Sequence, residues 1–226
     1  RFVVQGGRPL TGEIKLAGAK NAALKMLVAS LLTDEECVFE NFPKIGDAEA
    51  TKELCAALGS EIKSIDSYLV IKTPMIKNTR VISLHQRNRI PILALGPLLN
   101  RAGEAEVPIV GGDKIGPRPV NMHLESLKAL GARIEIGPDS YKAKVHGRLK
   151  GALITLKYPS VGATEQIILA SVLAEEKTVI INSAVEPEIM DLIKMLQKMG
   201  AIIELGTNRA ITIYGVEKLR GARHRI

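Results

Sequence analysis

Apolar positions along the chain fall into two alternating rhythms. Leu24, Leu27, Val28 and Leu31 stand at i, i+3, i+4 and i+7, as do Ile189, Leu192, Ile193 and Leu196, the spacing that paints one face of an α-helix. Between these stripes lie short runs with strand character at residues 37–40, 106–109 and 178–181. Segments 22–32, 90–99 and 167–173 are apolar on nearly every side, which predicts helices buried on most faces. Pro91 suits the first turn of the middle one, whereas Pro97 would interrupt its interior.

The pattern repeats. Leu54-Cys-Ala-Ala-Leu-Gly59, Leu127-Lys-Ala-Leu-Gly131 and Leu196-Gln-Lys-Met-Gly200 are three versions of one helix end, and each leads into a short strand, at 61–63, 133–135 and 202–204. Glycine just past a last helical turn is the common left-handed stop, and three at an interval of about 70 residues mark three equivalent units. Working outward gives the order βαβαββ in each, with first strands at 13–16, 81–84 and 153–156 and last strands at 68–72, 141–145 and 210–214. The expected fold class is α/β, with units at about 20–75, 80–147 and 150–215 forming one domain over 20–226. Three first helices would pack together inside, with sheets and second helices outside. Residues 1–4 and 13–16 read as strands around the turn Gln5-Gly-Gly-Arg-Pro, and 1–19 are expected to pair with chain lying outside the three units.

Composition narrows the possibilities. Hydrophobic residues are 46% of the 226, with no run near the roughly 18 needed for a membrane span. The opening residues lack the order of a signal peptide, and the missing initial Met suggests a trimmed chain. Cys37 and Cys55 have neither metal spacing nor a disulfide framework, so a cytoplasmic protein with free thiols, no metal and no cofactor is expected. The net charge of +7 suits anionic ligands. With four tyrosines, three phenylalanines and no tryptophan, little is available for base stacking, and small phosphorylated ligands are favoured over nucleic acid.

The stretch at 110–121, Val-Gly-Gly-Asp-Lys-Ile-Gly-Pro-Arg-Pro-Val-Asn, holds three glycines, two prolines, two cations and a carboxylate. Such a composition makes a shaped loop rather than a helix or strand. Glycines permit close approach of backbone to a ligand, while Lys114 and Arg118 supply charge for an anion. Asp113 either neutralises a cation or handles a proton. Taken alone, the stretch fits a solvated surface turn equally well.

Ala17-Gly-Ala-Lys-Asn-Ala-Ala-Leu24, Arg89 ahead of Ala94-Leu-Gly-Pro-Leu98, the loop from Gly112 to Asn121, Pro159-Ser-Val-Gly-Ala-Thr164, Glu186-Pro-Glu-Ile189 and Gly215-Val-Glu-Lys-Leu219 closely resemble the enolpyruvyl transferases. Within them the likeness is to the nucleotide-sugar branch rather than the shikimate branch. It implies an inside-out α/β barrel, of which this chain would be one of two domains, with the active site in the cleft between them. The missing C-terminal domain is then a partner. The implied reaction transfers the enolpyruvyl group of phosphoenolpyruvate to the 3-hydroxyl of UDP-N-acetylglucosamine and releases phosphate, the first committed step of peptidoglycan synthesis.

Carried over residue by residue, the resemblance assigns Lys20, Asn21 and Arg118 to phosphoenolpyruvate. Asn21, Arg89, Arg118, Pro119, Val120, Asn121, Met122, Ser160, Val161 and Gly162 fall to the nucleotide sugar. Asp113 stands where many members carry a reactive cysteine, and is expected to be the loop's proton donor. Lacking that thiol, the chain should escape alkylation by the epoxide antibiotic fosfomycin. A noncatalytic nucleotide-sugar-binding copy, a 3-phosphoshikimate enolpyruvyl transferase and a relative of RNA 3′-phosphate cyclase, which has related βαβαββ units, are the competing readings.

Overall fold

The computed structural model describes residues 1–66, 68–84, 88–109 and 119–226. The first unit contains α1 (Lys20–Ala29) with a 3-10 extension (Ser30–Leu32), β1 (Glu36–Glu40), α2 (Gly46–Leu58), β2 (Glu61–Ile65) and β3 (Tyr68–Lys72). In the second, a 3-10 turn (Ile90–Ala94) runs into α3 (Leu95–Ala102), followed by β4 (Glu104–Pro108), α4 (Asn121–Ala129), β5 (Arg133–Ile136) and β6 (Ser140–Lys144). The third comprises β7 (Leu153–Thr155), α5 (Val161–Ser171), β8 (Lys177–Ile181), α6 (Pro187–Lys198), β9 (Ile202–Leu205) and β10 (Ile211–Tyr214), and β11 (Arg223–Arg225) ends the chain.

Each unit builds one sheet on the same plan. The strand between the two helices pairs antiparallel with the last strand, which pairs antiparallel with the one before it: β1-β3-β2, β4-β6-β5 and β8-β10-β9. The outer position beside the between-helix strand is filled differently each time. In the third unit β7 lies parallel on β8, as the sequence suggests for 153–156. In the second, only the bridge Arg80–Glu106 forms, and the strand expected at 81–84 does not develop.

In the first unit the expected strand at 13–16 is absent, and its place is taken by β11, parallel to β1 with Val38 opposite Arg223. No strand forms anywhere in residues 1–19, where Phe2, Val3, Leu10 and Ile14 are exposed. The reason is pairing: a strand needs a neighbouring edge to satisfy its backbone groups, and β11 already occupies the edge of β1.

The three predicted glycine stops all have positive φ: 113° at Gly59, 93° at Gly131 and 102° at Gly200. Burial follows the apolar pattern. Most of α1, the 3-10 turn at 90–94, the first part of α3 and all of α5 from Ala163 onward are buried. Removing these apolar side chains from water is the main driving force for the fold. Pro97, with no N–H to give, sits in the first turn of α3, where the chain has just widened out of the tighter 3-10 turn.

The C-terminal ends of the inner elements leave carbonyls without helical partners, and side chains cover them. Arg101 donates to Leu31 O (3.1 Å) and Thr73 O (3.2 Å), Asn100 to Ala170 O (2.9 Å), and Arg148 to Leu173 O (2.9 Å). Both cysteines are buried, and desolvation raises the thiols, Cys37 to about 11 and Cys55 to about 12, leaving neither a thiolate near neutral pH. No helix among the described residues is long and apolar enough to cross a membrane.

Candidate active site

First turns of five helices meet at the pole opposite the carbonyl-capping arginines. Lys20, opening α1, places Nζ 2.5 Å from Oδ2 of Asp47 in the first turn of α2. Asn21 Nδ2 donates to Glu188 Oε1 (3.3 Å) in the first turn of α6. Gly162, at the start of α5, lies so close to the His123 ring in α4 that a Cβ there would stand 2.9 Å from it. Helix N-termini carry partial positive charge and unpaired N–H groups, so this pole is prepared for anions before any side chain is counted.

An open cleft of about 710 Å³ is cut into it between α1 and α6, lined by Lys20, Asn21, Glu188, Met190, Asp191 and Lys194 among others. The candidate nucleotide-sugar residues gather on the neighbouring side, over α4 and α5. Asn121 and Met122 begin α4, with Pro119 and Val120 just before it, Asn121 exposed and Met122 buried. Ser160 is the N-cap of α5, its hydroxyl accepting from Ala163 N (3.3 Å), and Val161 and Gly162 follow half-buried. Arg89 precedes the 3-10 turn at 90–94, and its charge reaches His123 and Tyr141.

The structure thus assembles two groups at one pole: Lys20 and Asn21 in the α1–α6 cleft, and Arg89, Asn121, Met122 and Ser160 to Gly162 around α4 and α5. Asp113, Lys114 and Arg118 lie outside the described residues. The chain enters that stretch after β4 ends at Pro108 and leaves it where α4 begins at Asn121, among the first turns just described.

Several residues at this pole were not singled out from sequence. Asp47 and Glu188 hold Lys20 and Asn21. Lys25, the one cation in an otherwise apolar stretch of α1, points back to Glu165 of α5, with Nζ 3.2 Å from Oε1. Apart from this contact with Lys25, Oε1 has no well-formed hydrogen bond. Burial drives the Glu165 carboxyl up to about 7; Lys25 opposes the rise, and the carboxylates of Glu188 and Glu186 add to it. Burial also pulls His123 down to about 4, with a Gln166 hydrogen bond resisting and the Arg89 charge assisting. His123 is therefore neutral at pH 7. A charged residue inside an apolar helix stripe was the available signal for Lys25 and Glu165, since such a residue has to find a partner indoors.

Comparison with known proteins adds an independent line. UDP-N-acetylglucosamine 1-carboxyvinyltransferase of Prochlorococcus marinus (strain NATL2A) is 48% identical over 226 residues, covering 98% of this chain and 49% of that protein. The protein of the same name from Chlamydia pneumoniae is 50% identical over 221 residues, covering 96% of this chain and 48% of its own length. The chain spans about half the length of these curated relatives. Among solved structures, the enolpyruvyl transferase NikO from Streptomyces tendae superposes with a TM-score of 0.84 at 20% identity, over 98% of this chain and 53% of that one. EPSP synthase from Acinetobacter baumannii gives 0.74 at 19% identity, over 95% and 49%. At such identities these two establish a common fold, the inside-out α/β barrel domain that the family resemblance implies and the three repeats agree with. The family described as EPSP synthase (3-phosphoshikimate 1-carboxyvinyltransferase) matches residues 4–226, and the chain belongs to that family.

Proposed function

We propose that the chain is one domain of an enzyme that transfers the enolpyruvyl group of phosphoenolpyruvate to the 3-hydroxyl of UDP-N-acetylglucosamine, in the cytoplasm, at the entry to peptidoglycan synthesis. The observation that carries the reading is the meeting of the first turns of α1, α2 and α6 at Lys20 and Asn21, in a chain about half identical to proteins of that name. Both substrates are anionic, and a pole built from N-termini and cations offers fixed positive charge without reorganisation. Lys20 and Asn21 would take the phosphate and carboxylate of phosphoenolpyruvate, together with Arg118. Arg89, Pro119 to Met122 and Ser160 to Gly162 would hold the nucleotide sugar.

Addition across the enol double bond needs a proton at the methylene carbon, and Asp113 is the proposed donor. Residues 1–19, with Phe2 and Leu10 almost wholly exposed, are read as strands of a second domain that would close the cleft and supply the remaining groups.

Phosphate release by the longest natural polypeptide containing this chain tests the reading. Release should require both phosphoenolpyruvate and UDP-N-acetylglucosamine, and 3-phosphoshikimate should not substitute. Asp113→Asn should lower kcat by about 100-fold or more. Binding of UDP-N-acetylglucosamine with no phosphate release under any condition would instead favour a noncatalytic nucleotide-sugar-binding protein.

A further inference from the structure

Glu165 is the most deeply placed carboxylate near the cleft, about 1% exposed, and the assigned chemistry makes no use of it. It lies on α5, one turn in from the N-cap Ser160, and its partner Lys25 lies on α1, just over a turn in from Lys20 and Asn21. Asn21 in turn holds Glu188, whose charge acts on Glu165 together with that of Glu186. Charges therefore run in a short series from the cleft wall to the interior, Glu188, held by the Asn21 amide, at the surface and Lys25 and Glu165 behind.

The other elements packed on α5 add little. The 3-10 turn at 90–94 and the first part of α3 that meets it through Gly96 carry no charge. Lys177 is exposed at the start of β8, Tyr214 is the one titratable residue of β10, and α6 adds Asp191 and Lys194 beyond Glu188. On the α4 side stand neutral His123 and, beyond it, Arg89. An ion pair serving stability alone would gain most from saturated hydrogen bonds, yet Oε1 lacks a well-formed one.

We propose that Glu165 is a positioning residue that takes up a proton when an anion is captured at Lys20 and Asn21, so that part of the negative charge added at the first turns of α1 and α6 is offset. This rests on the reading of those two residues as the anion-capturing pair. A phosphate or carboxylate entering the cleft adds negative charge beside Glu188, and neutralising Glu165 relieves the repulsion. Lys25, freed of its counter-charge, then contributes its field to the bound anion through the end of α1. No bond other than that to the proton forms or breaks, and the proton comes from solvent.

Calorimetry of phosphoenolpyruvate binding at pH 7, in two buffers of different ionisation enthalpy, reads the uptake directly. Up to about half a proton per ligand is expected for a group titrating near neutrality. Glu165→Gln should abolish the uptake while changing affinity by only a few-fold, and the paired change Lys25→Met with Glu165→Gln removes both charges should the single variant fold poorly. With the longest natural polypeptide containing this chain as the protein measured, binding with equal uptake in the unsubstituted form and these variants overturns the inference and leaves the functional reading standing; no binding to the unsubstituted form overturns both. Independently of any ligand, the carbon-13 titration of the Glu165 carboxyl should move down in Glu188→Gln and up in Lys25→Met. An unmoved midpoint in Glu188→Gln would show that the cleft wall and Glu165 are uncoupled, and the proposal would fall.

Discussion

Two buried titratable side chains near the mouth pull stability in opposite directions with pH. Glu165 keeps its proton up to about 7 in the folded chain against an ordinary 4.5. The unfolded chain releases that proton first, so this group's contribution falls as pH climbs from about 4.5 to about 7 and is level above. His123 is held at about 4 against an ordinary 6.5, so its contribution is whole above 6.5 and is lost as pH falls toward 4. Between 4.5 and 6.5 the two slopes, each near 1.4 kcal/mol per pH unit, oppose one another. Urea midpoints of His123→Gln should therefore rise on acidification across that window relative to the native chain, and those of Glu165→Gln should fall. Parallel curves for all three would refute the assignment.

Gly162→Ala is a sharper test of local fit, because its Cβ would press on the His123 ring at 2.9 Å. It should cost about 1–3 kcal/mol and weaken UDP-N-acetylglucosamine binding measured by titration. Lys20 and Arg89 were picked out by the family resemblance rather than by spacing, and the fold puts Lys20 at the start of α1 and Arg89 just ahead of the 3-10 turn at 90–94. The Lys25–Glu165 pair was not, since nothing in local spacing says that residues so far apart will share one interior.

Among elements, the three glycine stops share a backbone conformation but not surroundings. At Gly131 and Gly200 an added Cβ meets nothing within 4 Å, whereas at Gly59 it would stand 2.8 Å from the Met75 carbonyl. Alanine should then cost about 1–2 kcal/mol at the first two, the ordinary penalty of a left-handed L-residue, and clearly more at Gly59. Chemical denaturation of the three variants side by side ranks them, and equal losses would mean that only the backbone matters.

Second helices and paired strands were readable because period and stop signals are local. The outer strands were not. Residues 13–16 alternate well enough for a strand, but alternation describes a face and says nothing about whether an edge is available. Conversely, Arg223-His-Arg has no apolar alternation and still pairs, anchored by backbone bonds and by buried His224, whose Nε2 lies 3.0 Å from Asp191 Oδ1.

At the level of the whole molecule, the last strand completes the first unit. Val38 N donates to Ala222 O (2.9 Å) and Ile226 N to Glu40 O (3.1 Å), so removing 220–226 strips β1 of its outer neighbour and takes buried His224 away from Asp191. The loss should be about 3 kcal/mol from hydrogen bonds alone, lowering the thermal midpoint by roughly 6–12 °C. An unchanged midpoint would mean that β11 is ornamental. This long-range stitch is what repeat counting overlooked: the three units were expected to pack around their first helices, but nothing in the repeat says that the first borrows a strand from beyond the third.

That borrowed strand brings residues 18 and 226 together. Gly18 N donates to Asn41 O (2.9 Å), and the Asn41 side chain reaches Ile226 O (3.2 Å), so Asn41 grips both. Polypeptide leading into α1 and polypeptide leading away from β11 consequently depart from a single corner of the fold. Joining 226 to 19 through a few flexible residues and reopening the chain at the exposed turn after Gly147 would rearrange the order of the gene while leaving every sheet pairing intact.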